Sequence, residues 1–196
     1  MPALHRQYRD CGRDEAFCVV RFRDRGLVYL TLSGLIILLD QLTKYLTVTY
    51  IERGTFGIEV LPFFNLVHVY NYGAAFSFLA SMGGWQRWFL SGIALLITLL
   101  FVFLLWRTPK VRRLDCIAMA LFIGGALGNL IDRLVLGYVV DFLLFYIRTE
   151  DSLWAYPAFN VADIAVCVGA GLMVLSAFLR KEGKNEKQGA KVRGET

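Results

Sequence analysis

Carboxylate and carboxamide side chains, which can do acid–base chemistry, occur inside and beside the long apolar segments of this chain. The segment Phe122–Phe142 is apolar and long enough to cross most of a bilayer, and Phe159–Asp163 opens another apolar run. Their polar side chains are Asn129, Asp132, Arg133, Asp141, Asn160 and Asp163. Because polar and ionisable groups are costly inside a membrane, each of them is a candidate functional residue.

Two of these carboxylates, Asp141 and Asp163, have no Lys or Arg within four residues along the chain, whereas Asp132 directly precedes Arg133. We interpret Asp132 as half of a neutralised structural pair, and Asp141 and Asp163 as a reactive pair. Two carboxylates held close together share a proton. The charged one can then take a proton from water while the other donates to a carbonyl oxygen. Neither residue is assigned as acid or base, and Asp132 in place of Asp141 stays open.

Motifs of other chemistries are absent from the sequence. The two histidines, His5 and His68, form no HExxH motif, and no serine lies in a GxSxG motif. The four cysteines form no CxxC pair, so we expect ordinary reduced thiols. We therefore expect neither a metal nor another cofactor.

The composition indicates a membrane protein. Hydrophobic residues make up 57% of the 196 residues, and the mean hydropathy is +0.52, whereas soluble domains are about 45–50% apolar. Of the 21 Lys and Arg residues, 16 fall in clusters at 1–26, 107–113 and 180–196, each next to an apolar run. Cations that flank membrane spans explain the net charge of +5 better than a nucleic-acid surface does.

The apolar runs predict an all-α integral membrane protein with four transmembrane helices and a small extracytoplasmic β element. The predicted spans are Gly26–Leu46, Trp88–Trp106, Cys116–Ile131 and Ile164–Leu179. Four alternating spans place all three basic clusters on one side, which the positive-inside rule makes cytoplasmic. Short strands are expected around Ile58, Val60 and Phe64–Tyr72.

The predicted domain organisation has three parts. Residues 1–25 form a cytoplasmic N-terminal arm, residues 26–179 form the membrane domain, and residues 180–196 form a charged, disordered cytoplasmic tail.

This topology brings the polar residues to one depth, near the extracytoplasmic surface. Asp40 and Lys44 lie near the outer end of the first span, one helical turn apart, and Asn71 lies in the outer loop. An Asp–Lys pair that snorkels at the interface would explain the first two equally well. A proton or cation transporter using Asp132, Asp141 and Asp163 is the main alternative function. A non-catalytic scaffold held by interhelical hydrogen bonds is another. The inner halves of the spans lack the ionisable residues that a transport path needs.

Five motifs occur in order on these elements: DQLTK at 40–44, NYGAAFSFL at 71–79, GGALGNLIDR at 124–133, GYVVDF at 137–142 and FNVAD at 159–163. Together they resemble the bacterial lipoprotein signal peptidases, the signal peptidase II family. The resemblance covers roughly Leu27–Leu179. The arm 1–25 and the connection Ile147–Pro157 look longer than the family pattern.

The resemblance implies an aspartyl endopeptidase in the bacterial inner membrane, with both termini cytoplasmic and its active site near the extracytoplasmic face. Its substrate would be a prolipoprotein carrying diacylglycerol on a cysteine, cut on the amino side of that cysteine. Membrane lipid and cyclic peptide inhibitors such as globomycin would be further partners. The family's catalytic dyad falls on Asp141 and Asp163. Its supporting residues fall on Asn71, Asn129, Arg133, Asn160, Asp40, Lys44 and Asp132.

Overall fold

The computed structural model of the protein describes residues 25–73 and 84–193. A short 3-10 turn, Gly26–Tyr29, leads into α1, Leu30–Tyr50. The other helices are α2, Trp85–Arg107; α3, Arg113–Val135; and α4, Val161–Arg193. Within this described part, four helical segments are long and apolar enough to cross a bilayer: Gly26–Tyr50, Trp85–Arg107, Arg113–Val135 and Val161–Lys181. The prediction of a four-span membrane protein is confirmed.

The third helix, α3, lies at the centre of the bundle and contacts α1, α2 and α4. More than half of the residues in its most apolar stretch are buried inside the protein, against about a fifth for each of the other three helices. Glycines allow the close approach. A Cβ at Gly124 would lie 2.8 Å from Ile36 Cβ, and a Cβ at Gly125 would contact the Ala162 carbonyl. A Cβ at Gly128 would lie 2.7 Å from Asp40 Oδ2, so Gly124 and Gly128, at GxxxG spacing, both lie where α3 meets α1.

A four-stranded antiparallel sheet in the order β1-β2-β3-β4 lies at one end of the bundle. Its strands are β1, Ile58–Leu61; β2, Phe64–Asn71; β3, Val139–Arg148; and β4, Leu153–Ala155. The strands predicted around residues 58–60 and 64–72 are confirmed. Residues 137–157, which connect α3 to α4, supply the other two strands of the sheet.

The sheet is joined to the ends of the helices where the polar residues converge. Strand β3 contacts α1 and α3. The backbone of Phe159, just before α4, exchanges hydrogen bonds of 2.9 and 3.1 Å with Leu143 of β3. This connection holds the start of α4 against β3, so that a residue on either element can reach the other.

The structure also bears on the C-terminal tail and on the cysteines. Helix α4 continues to Arg193, so the prediction of a disordered tail from residue 180 is wrong. Cys116 and Cys167 are free thiols, as expected. Residues 1–24, with Cys11 and Cys18, and residues 74–79 of the NYGAAFSFL motif lie outside the described part of the chain.

Candidate active site

Asp141 lies on β3, next to the end of β2, and its side chain is almost completely buried, with 2% exposed. Asn71, at the end of β2, donates from Nδ2 to Asp141 Oδ2 at 3.0 Å. Asn160 donates from Nδ2 to Asp141 Oδ1 at 2.7 Å. Each carboxylate oxygen thus accepts one amide hydrogen bond, and the two amides come from opposite sides of the site.

Asp163 lies in the first turn of α4 and takes part in capping that helix. The Asn160 backbone N–H donates to Asp163 Oδ2 at 3.1 Å, and the Asp163 N–H donates to Asn160 Oδ1 at 3.1 Å. This reciprocal pair is a capping box, with Asn160 as the N-cap residue and Asp163 three residues later. The FNVAD motif therefore explains why α4 begins just after Asn160, and the same capping bonds fix the position of the Asp163 carboxylate.

Asn129 on α3 holds the second carboxylate from the other side. Its Nδ2 donates to Asp163 Oδ1 at 2.8 Å, and its Oδ1 accepts from Asn160 Nδ2 at 3.2 Å. Asp141, Asn160, Asn129 and Asp163 therefore form one hydrogen-bonded cluster. The structure brings together the two aspartates and the three asparagines that the sequence singled out.

The surroundings of Asp141 favour its protonated form. Burial, and after it the negative charge of Asp163, raise the pKa of Asp141 to about 7, against the opposing hydrogen bonds from Asn71 and Asn160. Burial disfavours a charged carboxylate, and so does a like charge nearby. Near neutral pH, therefore, the pair retains a proton, which is the state that acid–base hydrolysis by two carboxylates requires.

A buried lysine, Lys44, contacts this cluster through Asn129. Lys44 Nζ forms ion pairs with Asp40 at 2.8 Å and with Asp132 at 2.9 Å, and it donates to Asn129 Oδ1 at 2.9 Å. The exposed fraction of the Lys44 side chain is 4%. The alternative of an Asp–Lys pair snorkelling at the interface is therefore wrong, because the ammonium group is inside the protein.

The two aspartates that hold Lys44 also bind backbone amides. Asp40 Oδ1 accepts from the Ala162 N–H at 2.9 Å, and Asp132 Oδ2 accepts from the Val140 N–H at 3.1 Å. Gln41, which sequence reasoning missed, donates to Asp132 Oδ1 at 2.9 Å. Since their oxygens are occupied in this way, Asp40 and Asp132 join α1 and α3 to β3 and α4. The ion pair of Asp132 is with Lys44, rather than with its sequence neighbour Arg133.

Arg133 lies between the aspartate pair and the segment that follows β2. It donates to the backbone carbonyls of Asn129 at 3.4 Å and Gly73 at 3.3 Å. Its guanidinium group provides a fixed positive charge beside the two carboxylates.

A cavity of about 940 Å³ opens onto the aspartate pair. Its polar residues are Asn71, Asn129, Arg133, Asp141 and Asp163. The rest of its wall is mostly apolar and comes from Val69 and Tyr70 of β2, Val139 and Leu144 of β3, the segment 155–159, and Ile164, Val166, Cys167 and Val168 of α4. Ile164, Cys167 and Val168 are exposed on a candidate membrane span, so the cavity wall continues onto the outer side of the bundle.

The family to which this geometry belongs is shown by comparison with known proteins. The signal peptidase II family, described as Signal peptidase (SPase) II, matches residues 32–179. The chain belongs to the signal peptidase II family. The resemblance seen in the five motifs is confirmed, and so is the prediction of a protease. The transporter alternative finds no support.

Curated relatives of this signal peptidase II chain are similar over nearly their whole length. The lipoprotein signal peptidase of Aeromonas hydrophila is 50% identical over 161 residues, which is 82% of this chain and 93% of that protein. The lipoprotein signal peptidase of Pseudoalteromonas atlantica is 47% identical over 165 residues, which is 84% of this chain and 98% of that protein.

Solved structures of bacterial membrane enzymes have the same fold. One is 28% identical with a TM-score of 0.66, and covers 80% of this chain and 91% of that chain. Another is 30% identical with a TM-score of 0.64, and covers 76% and 92%. The arrangement of four helices and a small sheet is therefore that of a membrane enzyme.

Proposed function

We propose that this protein removes the signal peptide from diacylglyceryl-modified prolipoproteins by cutting on the amino side of the lipidated cysteine, with Asp141 and Asp163 as its catalytic residues. The observation that carries the proposal is that these two carboxylates share one amide-bonded cluster and line one cavity. The names of the curated relatives support the lipoprotein substrate.

The proposed reaction uses the single proton held by the pair. The charged carboxylate takes a proton from a water molecule as the water oxygen attacks the scissile carbonyl carbon. The protonated carboxyl donates its proton to the carbonyl oxygen, which gives a neutral tetrahedral intermediate. As the intermediate collapses, the C–N bond breaks, a proton passes to the leaving amine, and the hydroxyl proton returns to the pair.

The amides and Lys44 support this chemistry without taking part in it. Lys44 and Asn160 both donate to Asn129 Oδ1, so the Asn129 amide N–H group is turned toward Asp163. Preorganised donors of this kind hold a carboxylate in its reactive orientation before substrate arrives. Asp40, Lys44 and Asp132 are therefore positioning residues in this proposal, and Asn71, Asn129 and Asn160 hold the dyad.

The position of the dyad fits a lipid-anchored substrate. The apolar cavity wall that α4 contributes allows diacylglycerol chains to stay in the outer leaflet while the peptide reaches the carboxylates. The proposed location is the bacterial inner membrane, with both termini cytoplasmic and the sheet extracytoplasmic. The proposed domain bounds remain 1–25, 26–179 and 180–196. Cyclic peptides such as globomycin are expected to occupy the same cavity.

The decisive test is gel-shift processing of a lipidated precursor by purified variants in lipid nanodiscs. Asp141→Asn and Asp163→Asn should each lower kcat by at least about 10³-fold, because each removes a group that moves a proton. Thermal unfolding should show that both variants remain folded. Normal turnover by either variant would contradict the dyad.

The Asp132→Asn variant separates the two candidates for the first dyad member. This substitution weakens the ion pair with Lys44 but leaves Asp141 and Asp163 in place. We expect a lower unfolding temperature and measurable processing per folded molecule. If Asp132→Asn abolished processing while Asp141→Asn did not, Asp132 would replace Asp141 in the pair.

A further inference from the structure

The connection Ile147–Pro157, which looks extended in the sequence, forms a well-ordered β-hairpin. Ile147 of β3 lies directly opposite Trp154 of β4. The turn is closed by hydrogen bonds between Thr149 and Ser152, at 2.8 Å between backbone N and O and 2.8 Å between the hydroxyls. Nevertheless Ile147 is 68% exposed and Trp154 75% exposed. Two large apolar side chains thus stand paired on the surface of a well-formed element.

The face on which this pair lies follows from strand geometry. Side chains alternate along a strand, so Asp141, Phe145 and Ile147 share one face of β3. The irregularity in pairing with β2 lies on β2, between Leu66 and Val69, so β3 keeps its alternation. Trp154 joins the same face because it lies opposite Ile147, and Tyr156 joins it two residues later. We call Phe145, Ile147, Trp154 and Tyr156 the apolar strip.

The apolar strip lies on the face of β3 that meets the start of α4. The shared face is the one on which Asp141 meets Asn160, at the start of α4. Ile147 is six residues beyond Asp141, which at about 3.3 Å per residue carries it roughly 20 Å along the strand. The strip therefore begins close to the site and extends away from it along the strand.

The strip is also continuous with the outer surface of a span. Phe159 stacks on Phe145 with ring centroids 5.9 Å apart and contacts Tyr156 at 6.0 Å. Phe159 directly precedes α4, on which Ile164 and Val168 are exposed on a candidate membrane span. Phe159 thus connects the apolar strip to the start of the span.

We propose that the apolar strip lies in the boundary between headgroups and acyl chains of the bilayer, and anchors the β3–β4 hairpin there. Trp and Tyr favour this depth because they have an apolar body and a polar group. The charged residues near the turn are Arg148, Glu150 and Asp151, with a net charge of −1. Insertion of apolar side chains, rather than attraction to anionic lipid, therefore accounts for the contact.

This contact goes beyond the proposed function, because lipid insertion requires no catalysis. It also affects the cavity, since Ala155, Tyr156 and Pro157 at the base of the hairpin line its wall. A hairpin held at the lipid interface keeps that wall of the cavity at the depth of a membrane-anchored substrate.

The test measures lipid contact at Trp154 directly. The chain has four tryptophans, so Trp85→Phe, Trp88→Phe and Trp106→Phe leave Trp154 as the single emitter. In nanodiscs of phosphatidylcholine brominated near the headgroup end of its acyl chains, we expect at least about half of the emission to be quenched, equally at low and high salt. Emission that stays unquenched would overturn the proposal.

Other occupants give different results in the same experiment. If emission responded to added lipidated precursor but not to brominated lipid, the strip would bind substrate peptide instead. If the signal depended on protein concentration in detergent and not on lipid, the strip would be an interface between copies. Either result overturns the lipid proposal, and a catalytically inactive Asp141→Asn background gives the same reading as an active one.

A matched pair of variants links the contact to the cavity. Ile147→Ser with Trp154→Ser should raise KM for lipidated precursor several-fold in nanodiscs and leave kcat unchanged. Leu153→Ser is the control, because Leu153 is exposed on the opposite face of the same hairpin. An equal rise in KM for the control, or no rise for the double variant, would contradict the proposed role of the hairpin.

Discussion

At the residue scale, the orientation of the Asn129 amide connects the buried Lys44 to the carboxylates that we propose as catalytic. Asn129 Oδ1 accepts from Lys44 Nζ at 2.9 Å and from Asn160 Nδ2 at 3.2 Å, which leaves its own N–H group for Asp163. With its carbonyl oxygen turned toward Asp163 instead, the Asn129 amide could not donate to that carboxylate. The buried charge of Lys44 is thus useful to the site because it specifies which end of Asn129 faces Asp163.

The pH dependence of turnover should show the proton that the pair retains. Burial and the charge of Asp163 raise the pKa of Asp141 to about 7. Below that pH the pair keeps its shared proton, and as pH rises through about 7 the proton is lost. We therefore expect kcat/KM for lipidated precursor to fall on the alkaline side of about pH 7.

A variant of Asn71 tests why kcat/KM falls above about pH 7, the falling limb of the pH profile. The Asn71 hydrogen bond stabilises the charged form of Asp141 and so lowers its pKa. Asn71→Ala should therefore raise that pKa and move the falling limb to higher pH, besides lowering the rate. Thr55→Ala, which removes an exposed hydroxyl of the segment before β1, should leave the limb in place. A limb that moved to lower pH in Asn71→Ala would refute this account of Asp141.

The sequence predicted the site residues better than it predicted their partners. Asp141 and Asp163 stood out because no cation lies near them in the chain, and the structure places both on one cavity. The partner of Asp132 was assigned wrongly to Arg133, since adjacency in sequence was the only guide. Lys44 donates to Asn129 of α3, which is 85 residues away in the sequence. No local sequence pattern predicts a contact between residues so far apart.

At the element scale, α3 can be packed only because small residues face its neighbours. A Cβ added at Gly125 would contact the Ala162 carbonyl and lie 2.8 Å from Val166 Cγ2. The first of these neighbours is backbone of α4, so it cannot move aside without moving the turn that carries Asp163.

Gly125→Ala should accordingly destabilise the bundle by about 1–3 kcal/mol, as overpacking typically does, and lower processing as well. The measurement is thermal unfolding in detergent, followed by the gel-shift assay. Gly171→Ala on α4 is the control, because nothing lies within 4 Å of a Cβ at that position. Equal stability of the two variants would show that α3 and α4 are less closely packed than the structure indicates.

Elements with a single dominant signal could be predicted from sequence, whereas strands β3 and β4 could not. The four spans are long uncharged runs, which a helix must supply to cross about 30 Å of hydrocarbon. Strand β3 reads VVDFLLFYIR, an almost continuous apolar run without polar alternation. Its first four residues are all buried, so the period of two that identifies a half-exposed strand is missing there. Only its pairing with β2 and β4 shows that it is a strand.

At the scale of the whole molecule, the basic cluster 107–113 and the aspartate pair lie at opposite ends of the helices. The basic cluster 107–113 joins α2 to α3, whereas the sheet and the aspartate pair lie at the other end of these helices. Because cations flank spans on the cytoplasmic side, the sheet should face the extracytoplasmic side. The outer leaflet is also where a lipid-modified cysteine awaiting cleavage would be anchored.

Cysteine labelling in intact spheroplasts tests this orientation. Ser152 is exposed in the hairpin turn, and Cys11 and Cys18 lie in the N-terminal arm. In a Cys116→Ser, Cys167→Ser background, a membrane-impermeant maleimide should label the Ser152→Cys variant at one site only, and should label the arm cysteines only after permeabilisation. The same background without Ser152→Cys should stay unlabelled in intact cells. Labelling of the arm but not of the hairpin would invert the topology and place the dyad on the side where the proposed substrate is absent.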